Sequence, residues 1–406
     1  MSEWKKIKLG EIVKLQQGFA LNKKSDHYLS DAENGIPLLK ISDLFKGTET
    51  LFVKTDIPKQ FIANDSDIIY SRTGQVGHAF INKKGVVYNN CFKVIVDERT
   101  DKNFLYFFLN IPDIRDTAKS LATGTAQPDL NHDAFKSIKI ELPPLPTQQK
   151  IAKILSNYDN LIENNLKRIK LLEESARLTY EEWFLRFRID GKNLDIDPTT
   201  DLPFGWSNKS FNSICKKISS GGTPSRANKK YWDFDDYDWV TTKELRDGYI
   251  YDTKEKISLL GLEKSSAKLF PKGTIVMAIY ASPTLGRLGV ITKESCFNQA
   301  AVGFIIDENF ISNEFLYCKL ISERVGLNAL AMGAAQQNIN LAKVKNYEVV
   351  IPDLELLQEF TNVTRPMFNE IENLGLQNQL LKEARDILLP RLMTGMIDTD
   401  DMDIAV

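Results

Sequence analysis

Polar segments and short apolar runs alternate along this chain, and their order recurs. The polar stretch SLATGTAQPDLN from Ser120 is followed by an apolar run at Ile138–Leu142, a proline stop PPLP, and about forty residues of helical pattern. The same order returns 209 positions later, with ALAMGAAQQNIN from Ala329, YEVVIP from Tyr347, and LLQEFTNV opening a second helical pattern. Gly124 matches Gly333, Gln127 matches Gln336, Asn131 matches Asn340 and Pro143 matches Pro352, and Leu171-Leu172 matches Leu380-Leu381. So long a period marks a duplicated domain, because solenoid repeats run only tens of residues. Each copy is a globular part followed by a long helix.

Within the first copy, residues 1–147 read as a mixed α/β domain. Ile36–Leu44 reads as a buried strand with a polar end, Asp67–Ile81 as a hairpin around a Gly-bearing turn, and Cys91–Val96 as a further strand. Asn103–Lys119 has helical spacing, with Phe104, Phe107, Phe108 and Ile111 on one core-facing stripe. Pro143, Pro144 and Pro146 end the domain, and Thr147 is the expected N-cap of the next helix. That helix, over 148–188, carries an apolar seam at alternating spacings of four and three: Ile151, Leu155, Tyr158, Ile162, Asn165, Ile169, Leu172, Ala176, Thr179 and Trp183. This is a coiled-coil seam about 55 Å long, and its one asparagine, Asn165, either fixes register from a buried place or lies at a wet end of the seam.

Residues 189–205, rich in Asp, Pro and Gly, read as a linker. Trp206 restarts the unit as Trp4 began it, and the second globular part runs over 206–353. A second helix over 354–397 repeats the seam with Phe360, Thr364, Met367, Ile371, Leu374, Asn378, Leu381 and Leu388, and Pro366 is expected to kink it or delay its start. An acidic tail, 398–406, follows. Neither seam can stay in water, so the simplest burial is of one helix against the other.

Composition narrows the classes. With 43% apolar and 26% charged residues the chain is ordinary for a globular protein. The opening MSEWKKIKLG has no apolar core, so no secretory leader is expected. No apolar run approaches the roughly 18 residues of a membrane span, so no membrane partner is expected. The scattered Cys91, Cys215, Cys296 and Cys318 read as reduced packing residues of a cytoplasmic protein. His27, His78 and His132 lie too far apart in sequence to suggest a metal site.

The net charge of −2 argues at first against a nucleic-acid partner. Its distribution reverses that. Residues 1–147 carry 20 Lys and Arg against 18 Asp and Glu, and residues 206–352 carry 19 against 15, whereas residues 353–406 carry 4 against 11. The globular parts are mildly basic and the acidic end conceals it.

Catalytic signatures are missing: no GxGxxG after a strand, no GxxxxGK[ST], and no placed histidine beside the TPS at Thr223 or the SPT at Ser282. What remains is a set of polar loops of the residue types that read base edges and hold phosphates. In the first part they are Ser71, Arg72, Thr73 and Gln75, then Gly124, Thr125, Gln127 and Asn131. In the second they are Thr223, Ser225 and Arg226, then Thr242, Lys243 and Arg287, then Gln336, Gln337 and Asn340. Each loop is also what a capped turn looks like, and duplication copies turns as readily as sites. Three function classes therefore stay open: DNA recognition, a protein-only scaffold on a coil, and an enzyme with an unrecognised site.

The motifs GTAQPDLN, KSIKIELPPLPTQQKIAKIL, SGGTPSRANKKYW, GTIVMAIY…LGRLGVI and LLPRLMTGMI, in this order along the chain, resemble the specificity subunits of type I restriction-modification systems. The resemblance implies an α+β fold of two target-recognition domains, each followed by a long helix, the two helices pairing as an antiparallel coiled coil. It implies that each domain reads one half of a split, asymmetric double-stranded DNA target, with the helices setting the gap. It further implies no catalysis by this chain and no cofactor on it. Two methyltransferase subunits would dock and bring S-adenosylmethionine, and motor-nuclease subunits could join. The second loop departs from the first, with Ala334 in place of the Thr125 hydroxyl, and GGTPS in the second unit stands where the first has QQGFALNKK.

Overall fold

The structure is a computed structural model that describes residues 4–23, 25–65, 67–124, 126–280, 283–331 and 338–399. Two compact units emerge, one of residues 1–162 with 381–406 and the other of residues 163–380. The division falls inside both long helices, Leu145–Tyr180 and Leu354–Met393. Each unit is thus one globular part with the near end of one helix and the far end of the other.

The two globular parts share one plan. In the first, the Lys5–Lys8 strand pairs antiparallel with Lys139–Leu142, tying the start of the domain to the strand before its helix. The second part repeats this with Ser207–Ser210 and Glu348–Ile351. A four-stranded sheet in the order Val13–Gln17, Cys91–Val96, Ile68–Ser71, Ala79–Phe80 has its counterpart in Cys215–Ser220, Ala301–Ile306, Ile275–Ala278, Leu288–Ile291, extended by Gly248–Ile250. A second sheet in each part contains one parallel pair, Leu38–Leu39 beside Val86–Val87 and Asp238–Val240 beside Ser295–Phe297. The apolar positions of these strands form the cores, around Tyr70, Phe92, Phe104 and Phe135 in the first unit and Phe211, Phe304, Phe315 and Phe360 in the second.

The expected aromatic stripe is core: Phe104, Phe107, Phe108 and Ile111 are all buried. The helix that carries it is not continuous. It breaks into Lys102–Leu109 and Pro112–Leu121 because the residue before a proline is pushed out of helical geometry, and Ile111 is extended (φ −60°, ψ 134°). The Ile36–Leu44 stretch also differs from expectation. Its strand stops at Leu39, and Ile41–Lys46 form a short helix ended by Gly47 in the left-handed region.

The first long helix begins at Leu145, not after Pro146. Proline is tolerated in a first turn, where its missing N–H would have no helical partner, so Thr147 is not the cap. The buried Gln148 locks that turn to the domain through Asp101 N, Arg99 O and Pro143 O. The second helix runs unbroken past Pro366. The 189–205 segment is not slack: it folds into two tight hairpins, Arg188–Ile189 with Lys192–Asn193 and Ile196–Asp197 with Leu202–Pro203. Asp190 and Gly191 both have positive φ, as a two-residue hairpin turn demands.

The seams meet. In the second unit Asn165 Nδ2 donates to Asn378 Oδ1 at 3.1 Å, both side chains buried, and Arg168 pairs with Glu370. Trp183 and Phe184 pack on Phe360. In the first unit Arg385 Nη1 donates to Asp159 at 2.6 Å, and Leu389 and Leu392 join Ile151 and Leu155 in the core. Rising numbers on one helix meet falling numbers on the other, so the pairing is antiparallel. The fold class read from the sequence is the one observed. The four cysteines are free and buried, as packing residues. Among the described residues no helix is long and apolar enough to cross a membrane, and no cluster of His, Cys, Asp or Glu could hold a metal ion.

Candidate nucleic-acid interface

In both globular parts the polar loops hang from one main-chain crossing. A glycine after the first sheet strand passes against the strand that enters the sheet's neighbour. Gly18 N donates to Cys91 O and Phe19 N to Val87 O; in the second part Gly221 N donates to Ala301 O and Gly222 N to Phe297 O. A Cβ at Gly18 would lie 2.2 Å from the Tyr88 carbonyl oxygen, and one at Gly221 2.0 Å from that of Phe297. Only glycine permits so close an approach of two backbones. QQGFALNKK and SSGGTPSRANKK therefore leave the same crossing, despite their unlike sequences.

A second shared device joins the hairpin to the loop before the long helix. Leu130 N donates to Arg72 O, and Ile339 N donates to Ile279 O. Thr73 bridges Asp129, and Tyr280 bridges Asn338. These bonds align Asp129 with Asn338, in step with the 209-residue period, and Arg72 with Ile279, which departs from that period by two residues.

The side chains placed on this backbone differ. In the first unit Asp129 is the organiser. Its Oδ1 accepts from Arg72 Nε at 3.1 Å and from Thr73 Oγ1 at 2.6 Å, and its Oδ2 accepts from Arg72 Nη2. Arg72 Nη1 donates to Gln17 Oε1 at 2.8 Å, and Gln17 in turn donates to Asn89 O. Burial pushes the Asp129 carboxyl up, but the hydrogen bonds from Arg72 and Thr73 and the guanidinium charge outweigh it, so it sits below the usual carboxylate range. Burial, helped by Arg72, likewise holds His132 below the ordinary imidazole value and so neutral.

In the second unit Ile279, which is buried, and the half-buried Asn338 stand at those places, and the arginine is elsewhere. Arg226, in the loop beyond the crossing, forks onto both carboxylate oxygens of Glu255. Its guanidinium lies 3.7 Å from the Trp232 ring centroid and 4.9 Å from that of Trp239. The hydrogen bonds from Arg226 hold the Glu255 carboxyl low against the opposing effect of burial, aided by Lys243 nearby.

A match to the Type I restriction modification DNA specificity domain covers residues 1–174 and again 203–382, nearly the whole chain in two copies. The chain belongs to this family. Its relatives include the MjaIX specificity subunit of Methanocaldococcus jannaschii, 26% identical over 344 residues that cover 82% of this chain and 78% of the relative. The HindI specificity subunit of Haemophilus influenzae is 25% identical, covering 98% of this chain and all of the relative. Among solved structures, an S subunit from M. genitalium superposes with a TM-score of 0.62 at 16% identity over 96% of each chain, which shows the fold.

Against this specificity-subunit fold the sequence-derived site residues divide. Gln75, Gly124, Gln127, Ser225 and Lys243 lie exposed on the loops. Arg72 and Thr73 are brought together with the 123–131 loop through Asp129. Thr223 is half-buried, its hydroxyl donating to Gln299, and Thr242 and Arg287 are half-buried in their turns. Ser71 does not face solvent, contrary to expectation: it is fully buried, donating to Gln75 O and accepting from His78 N to close the hairpin turn. Asn131 and Asn340 are helix caps, each Oδ1 accepting from a main-chain N–H, of Ala134 and Ala342, so their conservation between copies serves the backbone. Thr125, Gln336 and Gln337, with Ala334 and Ser282, lie outside the described residues. Sequence reasoning missed Asp129, Gln17, Glu255 and the Trp232–Trp239 pair. The PDLN string disguised Asp129 as an ordinary turn residue.

Proposed function

We propose that this specificity chain reads a bipartite, asymmetric double-stranded DNA target, one half through each globular part, and docks two methyltransferase subunits, with motor-nuclease subunits able to join. The observation that carries the reading is one backbone used twice with different chemistry on its loops. Two similar but unlike readers fit two unlike half-sites. The mild basicity of each globular part fits a complex whose other subunits share the phosphate contacts.

Partner docking has support from the helices. Leu171 and its match Leu380 are 70% and 56% exposed, and Leu178 and its match Ile387 are 43% and 54% exposed. Large apolar side chains left open at matching heptad positions suit two copies of one partner.

The test is methylation-site sequencing of DNA from cells carrying this chain with its methyltransferase subunit. A split motif, methylated on opposite strands in its two halves and lost when the chain is deleted, is the expected result. Methylation unchanged by the deletion would overturn the reading in favour of a protein-only scaffold.

A further inference from the structure

We infer that Arg72, held by Asp129 and Gln17, reads a guanine in the half-site of the first globular part; this rests on the DNA-reading function proposed above. A guanidinium has five N–H donors in a rigid fork. Three are committed within the protein: Nε and one N–H of Nη2 to Asp129, and one N–H of Nη1 to Gln17. Two remain, one on each terminal nitrogen, and the side chain is 20% exposed, so the fork is gripped without being sealed. A terminal-nitrogen pair of donors matches the O6 and N7 acceptors that guanine alone presents side by side in the major groove. The grip matters as much as the donors. A long side chain pinned on its Nε edge does not have to be ordered at binding, and its direction is fixed by two loops joined through Asp129.

Asp129 is then a positioning residue that touches no base. Neighbouring Gln75, Gly124 and Gln127 are exposed, so the approach to the fork lies on the loop face and not in the core. The contrast with Arg226 supports the assignment. There the outward end of the fork, one N–H on each terminal nitrogen, is taken by Glu255 and one ring face lies on Trp232, so the end-on pair of donors that Arg72 keeps is not on offer.

The experiment is methylation-site sequencing and target binding by the assembled complex of this chain with its methyltransferase subunit, for wild type, Arg72→Ala, Arg72→Lys, Asp129→Asn and Thr73→Val. Arg72→Ala should relax one guanine position, with discrimination there falling about ten- to a hundredfold, while the other half-site is read unchanged. Lysine should not rescue it, because the fork geometry is lost. Asp129→Asn should loosen the same position and no other. Thr73→Val trims one bond to Asp129 and should do so weakly in a chain that stays folded. Identical motifs from folded variants would overturn the inference, as would a loss of binding equal at every sequence with a smaller salt slope, the mark of a phosphate contact. A wild-type complex that shows no motif dependent on this chain would instead refute the underlying function.

Discussion

Arg72 and Arg226 are both held by a carboxylate, yet they occupy different places on the same scaffold. In the first unit the arginine sits at the hairpin and its Nε edge is gripped from the side. In the second unit the equivalent position is the buried Ile279, and the arginine lies beyond the glycine crossing, stacked on tryptophan. Duplication has preserved what the main chain does and let the side chains trade roles. Chemistry on these loops therefore cannot be transferred from one copy to the other by alignment, whereas backbone function can.

The strongest way to break this comparison is at the crossing itself. Gly18→Val and Gly221→Val should each cost about 3 kcal/mol or more, since the new side chain meets a carbonyl it cannot displace. Hydrogen-exchange mass spectrometry would locate the loss in the first unit for one variant and the second for the other. Normal protection in either would mean the crossings are not equivalent. A smaller effect is expected from Arg226→Ala, about 1 kcal/mol of second-unit stability from the lost stacking on Trp232 and the stranded Glu255, with no change in the first unit. Asn131→Ala and Asn340→Ala should cost about 1 kcal/mol each, measured by thermal unfolding. Equal penalties would sharpen the view that this pair was kept for capping; a selective loss of target binding without a stability penalty would contradict it.

The smallest effect is in pH, and it should differ in sign between the units. His78 and His132, both in the first unit, are held below the ordinary value of 6.5 chiefly by burial. Between that value and their lower folded values the unfolded chain binds more protons, so the first unit loses stability as pH falls below 6.5. The second unit has no histidine, and its Glu173 is pushed up by burial and by Asp247. A carboxyl easier to protonate when folded gains stability as pH falls. Exchange protection of the two units, corrected for the intrinsic pH dependence of amide exchange, would change in opposite directions as pH falls.

The fold was largely legible because its determinants are binary. Strand alternation, the seam spacing and the proline stops are properties of local sequence, and duplication stated them twice. Pro112 shows where this stopped: the helical spacing of Asn103–Lys119 concealed a break that the proline itself announced. The candidate site was less legible. Ser71 looks like a surface hydroxyl until the hairpin buries it, and Asp129 acquires its role only when two loops 57 residues apart are joined. Residue type indicates what a side chain can bond, while the fold decides whether that capacity is already spent.

The glycine crossing has a consequence for how such chains diversify. The bonds across the crossing run between main-chain groups, with one side-chain bond added in the second unit from Trp239 Nε1 to Gly222 O, so the junction depends little on what is attached on either side of it. Exchange of the segment beyond Gly18 or Gly221 between relatives would import a new loop onto an unaltered frame, so a single recombination event could change what is recognised without passing through an unfolded intermediate protein.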